Sequence, residues 1–180
     1  MDEPVDDVTA HALRARRGDA VAAAEFVRLT QADVWRLCAH LGSRNAADDL
    51  TQETYARAFA ALHRYAGRSS ARTWLLSIAR RACADAVRQA VRVRALPAAR
   101  ERTEADPAEA VTSRALLETL DAERREAFVL TQLVGLSYAE AADVCGCPVG
   151  TIRSRVARAR SELVGRFGQD EGRDRASRVT

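Results

Sequence analysis

The chain contains no lysine: all 28 of its basic residues are arginine. GC-rich codon usage accounts for the bias, but the absence has chemical consequences. There is no P-loop lysine, no Schiff-base amine and no ammonium nucleophile. Histidine is scarce as well, and His11, His40 and His63 stand far apart. No H-E-x-x-H motif, no Ser-His-Asp spacing and no glycine-rich phosphate loop occurs. These absences argue against an enzyme, and no cofactor is expected. Long apolar runs are missing too, since none reaches the ~18 residues that a membrane-spanning helix needs. The first residues, MDEPVDD, are acidic and lack a signal-peptide core. A cytoplasmic location without membrane insertion is therefore expected.

Cysteine is also sparse, with four residues at 38, 83, 145 and 147. Cys38 and Cys83 fall on apolar helix faces, where buried free thiols are common. Cys145 and Cys147 form a C-x-C pair with no second Cys/His pair nearby, which does not make a zinc site. A disulfide between them would be strained. Strand alternation is missing as well, and almost every periodic segment has a helical period. The fold class expected is all-α.

Helical segments are predicted over 8–17, 19–41, 45–62 and 70–92, with Asn45 as a cap for the third. The second carries Phe26, Thr30, Val34, Leu37 and Leu41 on one stripe. The third turns Thr51, Tyr55, Ala58 and Leu62 inward. The fourth turns Leu75, Ile78, Ala82, Ala86 and Ala90 inward. Residues 9–92 thus form one small bundle. Residues 93–108 contain Pro97 and Pro107, hold no apolar period and read as a flexible linker. A second small domain covers 109–167, with helices over 109–120, 121–134, 137–145 and 148–166. The polar stretch 168–180 reads as a disordered tail.

Three segments stand out. The first, 136–160, reads LSYAEAADVCGCPVGTIRSRVARAR. Ser137 and Glu140 make an S-x-x-E capping box, and Gly146 supplies the left-handed residue of a helix stop. Pro148 suits the first position of the next helix. Ile152, Val156, Ala159 and Leu163 form one apolar stripe. Arg153, Ser154, Ala157, Arg158 and Ser161 lie opposite, flanked by Arg155 and Arg160. This is the form of a helix-turn-helix with its recognition helix. The alternative is an amphipathic hairpin with a solvated arginine face. Four arginines and no acid between Val149 and Arg160 favour DNA.

In the second segment, eight arginines face one acid, Asp85, between Arg64 and Arg94. Arg81, Arg88 and Arg92 share a helix face with Asp85. They make either a salt-bridge ladder or a set of phosphate contacts. Tyr65 and Trp74 are available to unstacked bases, although Trp74 also suits a core. In the third segment, Asp49, Gln52 and Glu53 project as an acidic face. First-turn acids complement a helix dipole, which explains them locally. DNA repels such a patch, so its other use is a protein partner with a basic surface.

The three segments in this order resemble the bacterial extracytoplasmic-function (ECF) sigma factors of the sigma-70 family. DDLTQETYARAF resembles region 2.2, RSSARTWLLSIARR regions 2.3 and 2.4, and LSYAEAADVCGCPVGTIRSRVARAR region 4.2. The wording SSARTWLL and TQLVGLSYAEAA is similar to the actinobacterial sigma C type. The resemblance implies a two-domain transcription initiation factor that recognises −35 and −10 elements and promotes melting. It implies that Asp48, Asp49, Leu50, Gln52 and Glu53 dock on the β′ clamp helices of core RNA polymerase, with the β subunit as a further contact. It implies that Tyr65, Arg68, Ser69, Ser70, Arg72, Trp74, Arg80, Arg81 and Arg88 bind the −10 element, with a base flipped into the loop. Thr151, Arg153, Ser154, Arg155 and Arg158 match the −35 reading helix. Family members often carry a bulkier residue at Ala157. An anti-sigma factor clamping both domains is the further partner implied. Two other classes remain, a helix-turn-helix regulator that needs no polymerase and a helical adaptor that binds protein alone. The DDLTQE and RTWLLSIAR segments disfavour the first, and the arginine face at 153–158 disfavours the second.

Overall fold

The computed structural model describes residues 6–94 and 113–177. Among them every regular element is helical. Helices α1 (Asp7–Ala15), α2 (Ala20–Leu41), α3 (Ala47–Ala61) and α4 (Ala71–Arg94) make one compact unit. Helices α5 (Ser113–Glu118), α6 (Ala122–Phe128) and α8 (Val149–Ser177) belong to a second, together with α7 (Tyr138–Cys145) as far as Ala142. None of these helices is long and apolar enough to cross a membrane.

The first unit is organised around α2, which packs against α1, α3 and α4. Asp19 caps it by accepting the Ala22 N–H at 3.0 Å. Phe26, Thr30, Val34 and Leu37 are buried on the predicted stripe, while Leu41 at its end is half-buried. Each such large apolar side chain contributes roughly 1.5–3 kcal/mol of transfer free energy. Phe26 meets Phe59 edge to face at 6.5 Å. From α4 the core takes Leu75, Leu76, Ile78, Ala79, Ala82 and Cys83.

Several local features differ from the sequence reading. Ser43, not Asn45, caps the start of the third segment, which opens as a 3-10 turn over Arg44–Ala46. Ala86 is half-buried and Ala90 is exposed, because α4 outruns the helices it packs on. Tyr55 is half-buried, and Leu50 and Thr54 are core members that the stripe did not include. Helix α4 continues through residues 93 and 94, where the linker was expected to begin. The rest of the linker, 95–108, and the start of the second domain lie outside the described residues.

In the second unit, α8 packs on α6 and α5. The segment predicted as one helix over 121–134 is α6 followed by a wider π turn, Val129–Leu133. Such a turn inserts an extra residue without breaking the helix. Helical backbone continues past Gly168 to Ser177, where a disordered tail was expected. No proline interrupts that stretch. Residues 178–180 lie outside the described residues.

Candidate nucleic-acid interface

Helix α7 and helix α8 form the helix-turn-helix by local means. Ser137 Oγ accepts the Glu140 N–H at 3.2 Å, and Glu140 Oε2 accepts the Ser137 N–H at 2.8 Å. This is the reciprocal capping box read from the sequence. Gly146 stands at φ +65°. The Cys147 N–H donates to the Ala142 carbonyl at 3.1 Å and the Gly146 N–H to the Asp143 carbonyl at 3.3 Å. These are the paired bonds of a Schellman stop. Pro148 sits immediately before α8 rather than as its first residue. Its carbonyl accepts the Thr151 N–H at 2.9 Å.

The stripe of Ile152, Val156, Ala159 and Leu163 is buried. Arg153, Ser154, Ala157, Arg158 and Ser161 are exposed. The flanking arginines behave differently. Arg155 is half-buried, ion-pairs with Glu123 before α6's midpoint and points a second nitrogen at Cys147 Sγ, 3.7 Å away. Arg160 donates to Gln132 Oε1 at 2.6 Å. Arg153 and Arg158 have no acid or acceptor among the described residues. Of the five positions predicted to read DNA here, Arg155 is tied to the domain body. Thr151 is half-buried, and Ser154 bonds back to the Thr151 carbonyl at 2.9 Å. Cys145 and Cys147 are free thiols, and the described residues contain no metal-binding cluster.

The second candidate surface is the loop between α3 and α4 with the start of α4. Tyr65 is only 4% exposed, which removes it from any direct base contact in this conformation. Its hydroxyl donates to the Ser69 carbonyl at 2.6 Å, and its ring packs on Trp74 at 4.9 Å. Burial pushes the Tyr65 phenol up. Tyr65 is therefore a brace inside the loop. Gly67 turns it at φ +71°. Ser70 starts α4, its Oγ accepting the Thr73 N–H at 3.1 Å. Arg68 is exposed, whereas Ser69, Ser70 and Trp74 are half-buried. Arg72 pairs with Asp33 of α2 at 2.7 Å, so it holds α4 to the bundle. Arg80 is half-buried and Arg81 exposed.

Asp85 does not pair with two arginines of its own face. It pairs with Arg88 and, at 2.8 Å, with Arg57 of α3. The Arg57 bond, with Arg88 behind it, holds the Asp85 carboxyl below the usual carboxylate range. Arg57 also pairs with Glu53 at 2.7 Å. A chain Glu53–Arg57–Asp85–Arg88 thus joins the acidic helix to the arginine helix.

On α3, Asp48, Asp49, Gln52 and Glu53 are exposed together. Asp48 accepts the indole N–H of Trp35 at 2.8 Å, a contact between α2 and α3 absent from the sequence reading. Trp35 lies off the buried stripe of α2 and is 38% exposed. Leu50 differs from its four neighbours. It is buried and lies so close to Gly42 that any side chain there would collide with it. It supports the helix from beneath.

Two family models match the chain: sigma-70 region 2 over residues 26–93 and sigma-70 region 4 over residues 114–163. The ECF RNA polymerase sigma factor SigC of Mycobacterium tuberculosis is 50% identical over 165 residues. That similarity covers 87% of this chain and 89% of the relative. A probable RNA polymerase sigma-C factor of Mycobacterium bovis is equally similar. Among solved structures, CnrH in complex with the cytosolic domain of CnrY has a TM-score of 0.73 at 26% identity, over 92% of this chain and 99% of that one. The sigma factor RpoE in complex with the anti-sigma factor NepR, from Bartonella quintana, has a TM-score of 0.66 at 30% identity, over 77% of this chain and 92% of that one. With both region models in order and half of all aligned residues shared with a sigma C protein, the chain belongs to the ECF sigma factors of the sigma-70 family, and among them to the sigma C type.

Proposed function

We propose that the chain binds core RNA polymerase, recognises −35 and −10 promoter elements and promotes melting, without covalent chemistry of its own. The carrying observation is that one chain presents two surfaces of opposite charge. Arg153 and Arg158 project from α8 with no acid among the described residues to neutralise them, as phosphate or guanine contacts require. Asp48, Asp49, Gln52 and Glu53 project from α3 as a surface that DNA repels and a basic protein attracts. A DNA-binding regulator that acts alone has no use for the second surface. In this reading the clamp helices of the β′ subunit take the acidic face.

The loop 65–70 and the outer face of α4 take the −10 element, with Arg68 and Arg81 outermost. Flipping a base out of the duplex costs a few kcal/mol, which binding in the loop offsets. The solved structures similar to this chain are titled as complexes with CnrY and with the anti-sigma factor NepR. A similar inhibitory protein, covering the same surfaces, is the third partner. The place of action is the cytoplasm, where polymerase and promoter are.

The test is transcription from a promoter library by purified core polymerase with and without the chain. Transcripts with defined start sites should require both. Tight duplex binding by the chain alone, with no transcripts when core is added, overturns the proposal.

A further inference from the structure

Helix α1 and the residue that caps its end hydrogen-bond the proposed base-reading loop at its beginning and its end, and Leu13 approaches its turn. Arg16 Nη1 donates to the Tyr65 carbonyl at 2.7 Å, where the loop leaves the 3-10 turn Leu62–Arg64 that follows α3. A methyl group placed on Gly67 would come 4.0 Å from Leu13 Cδ2. The Ala71 N–H, at the first turn of α4, donates to Thr9 Oγ1 at 2.8 Å. Thr9, Leu13 and Arg16 follow one another at i, i+4 and i+7, so one face of α1, continued by its helical C-cap Arg16, spans the loop.

Thr9 is set for this contact by its own helix cap. Asp6 Oδ1 accepts the Thr9 N–H at 3.0 Å, and Asp6 Oδ2 accepts the Thr9 hydroxyl proton at 2.6 Å. With its proton held by Asp6, the hydroxyl offers a lone pair to Ala71. That N–H is one of the first-turn donors that a helix cannot satisfy internally. The bond is buried, and Thr9 is only 6% exposed. A buried N–H left without an acceptor is costly, so the loop end and the helix start stay where Thr9 holds them.

We propose that α1 presets the −10 reading loop, with Thr9, Leu13 and Arg16 as positioning residues for base selection. The proposal rests on the reading that loop 65–70 takes a −10 base. Thr9 is too buried to touch DNA, so any effect of Thr9 on base choice acts through the loop. Arg16 is exposed and can also meet a phosphate. A lost phosphate contact weakens all sequences alike and leaves the choice between bases unchanged.

The experiment uses the full chain bound to core polymerase. The probe is the single −10 strand that the wild type selects from the promoter library. A second strand carries one replaced base at the position of strongest preference. The quantity read is the ratio of the two affinities. A partly unfolded variant binds both strands less and keeps the ratio. Thr9→Val removes the acceptor at nearly constant shape and should lower the ratio ~10-fold. Thr9→Ser should restore it, and core affinity should not change. Arg16→Ala, at an exposed position, should lower the ratio in the same direction.

Unchanged ratios in Thr9→Val and Arg16→Ala, with clear preference in the wild type, overturn the role of α1 and leave the loop assignment standing. Equal loss in Thr9→Val and Thr9→Ser overturns the role of the hydroxyl. No preference in the wild type overturns the loop assignment itself, and this proposal with it.

Discussion

The two elements proposed to face DNA are held in place by different means. The α7–α8 turn is built from neighbours in sequence: Ser137 with Glu140, Gly146 with Asp143, Cys147 with Ala142. The loop before α4 has local bonds too, but adds partners far away in sequence: Tyr65 with Arg16, Ala71 with Thr9, Arg72 with Asp33. A locally built element keeps its shape through its own caps. A remotely built one depends on the whole bundle. The difference also bears on the arginines. In both units some arginines serve the fold (Arg16, Arg57 and Arg72 in one, Arg155 in the other), and what remains exposed and unpaired faces the solvent. Arginine count alone does not define a reading surface.

The first way to break this comparison is at Gly146. Its φ of +65° is left-handed, and a side chain there costs about 1–2 kcal/mol. Gly146→Ala should destabilise the α7–α8 pair by that amount and leave the α1–α4 bundle unchanged, as followed by hydrogen exchange in each. Equal loss of protection in both would contradict the local character of the turn.

A smaller effect separates the two cores. All five fully buried polar residues among the described ones, Thr9, Thr30, Thr51, Thr54 and Thr73, lie in the first unit. The same unit holds Tyr55, whose hydroxyl meets Thr30 Oγ1 at 2.7 Å. Burial pushes that phenol up from 10.0 to about 12. A folded-state value above the unfolded one means that the proton is held more tightly in the fold. Its contribution is complete below pH 10.0 and is lost as pH rises to about 12. Tyr55→Phe should flatten the alkaline loss of stability in the first unit, read by chemical denaturation across that range. An unchanged slope would remove Tyr55 as its source.

Legibility in the sequence follows the same division. The capping box, the Gly146 stop and the stripe from Ile152 to Leu163 were readable because their partners stand within a few residues. So was the stripe from Phe26 to Leu37. The brace role of Tyr65 was not readable, because only the fold brings the Trp74 ring and the Arg16 guanidinium to it. Arg155 looked like its neighbours Arg153 and Arg158, and only the fold brings Glu123 to it. Leu50 stood inside an acidic motif, yet Gly42 and the core claim its side chain. The Trp35–Asp48 contact joins two helices and leaves no local signal. The π turn after α6 shifts a helical register that periodicity alone would continue.

In the proposed function, the arginines that read DNA are those the fold leaves unpaired. This is tested most directly on α8, where both kinds stand within six positions. The measurement is binding of the polymerase complex to −35 duplexes carrying every single-base replacement, for Arg153→Ala, Arg158→Ala and Arg155→Ala. Loss of a bidentate guanine contact removes about 1–3 kcal/mol of discrimination at one position. The account predicts that flattening for Arg153→Ala or Arg158→Ala, with core binding intact. For Arg155→Ala it predicts an unchanged base profile and a less stable second unit. A flattened profile in Arg155→Ala, with full discrimination in the other two, would contradict it.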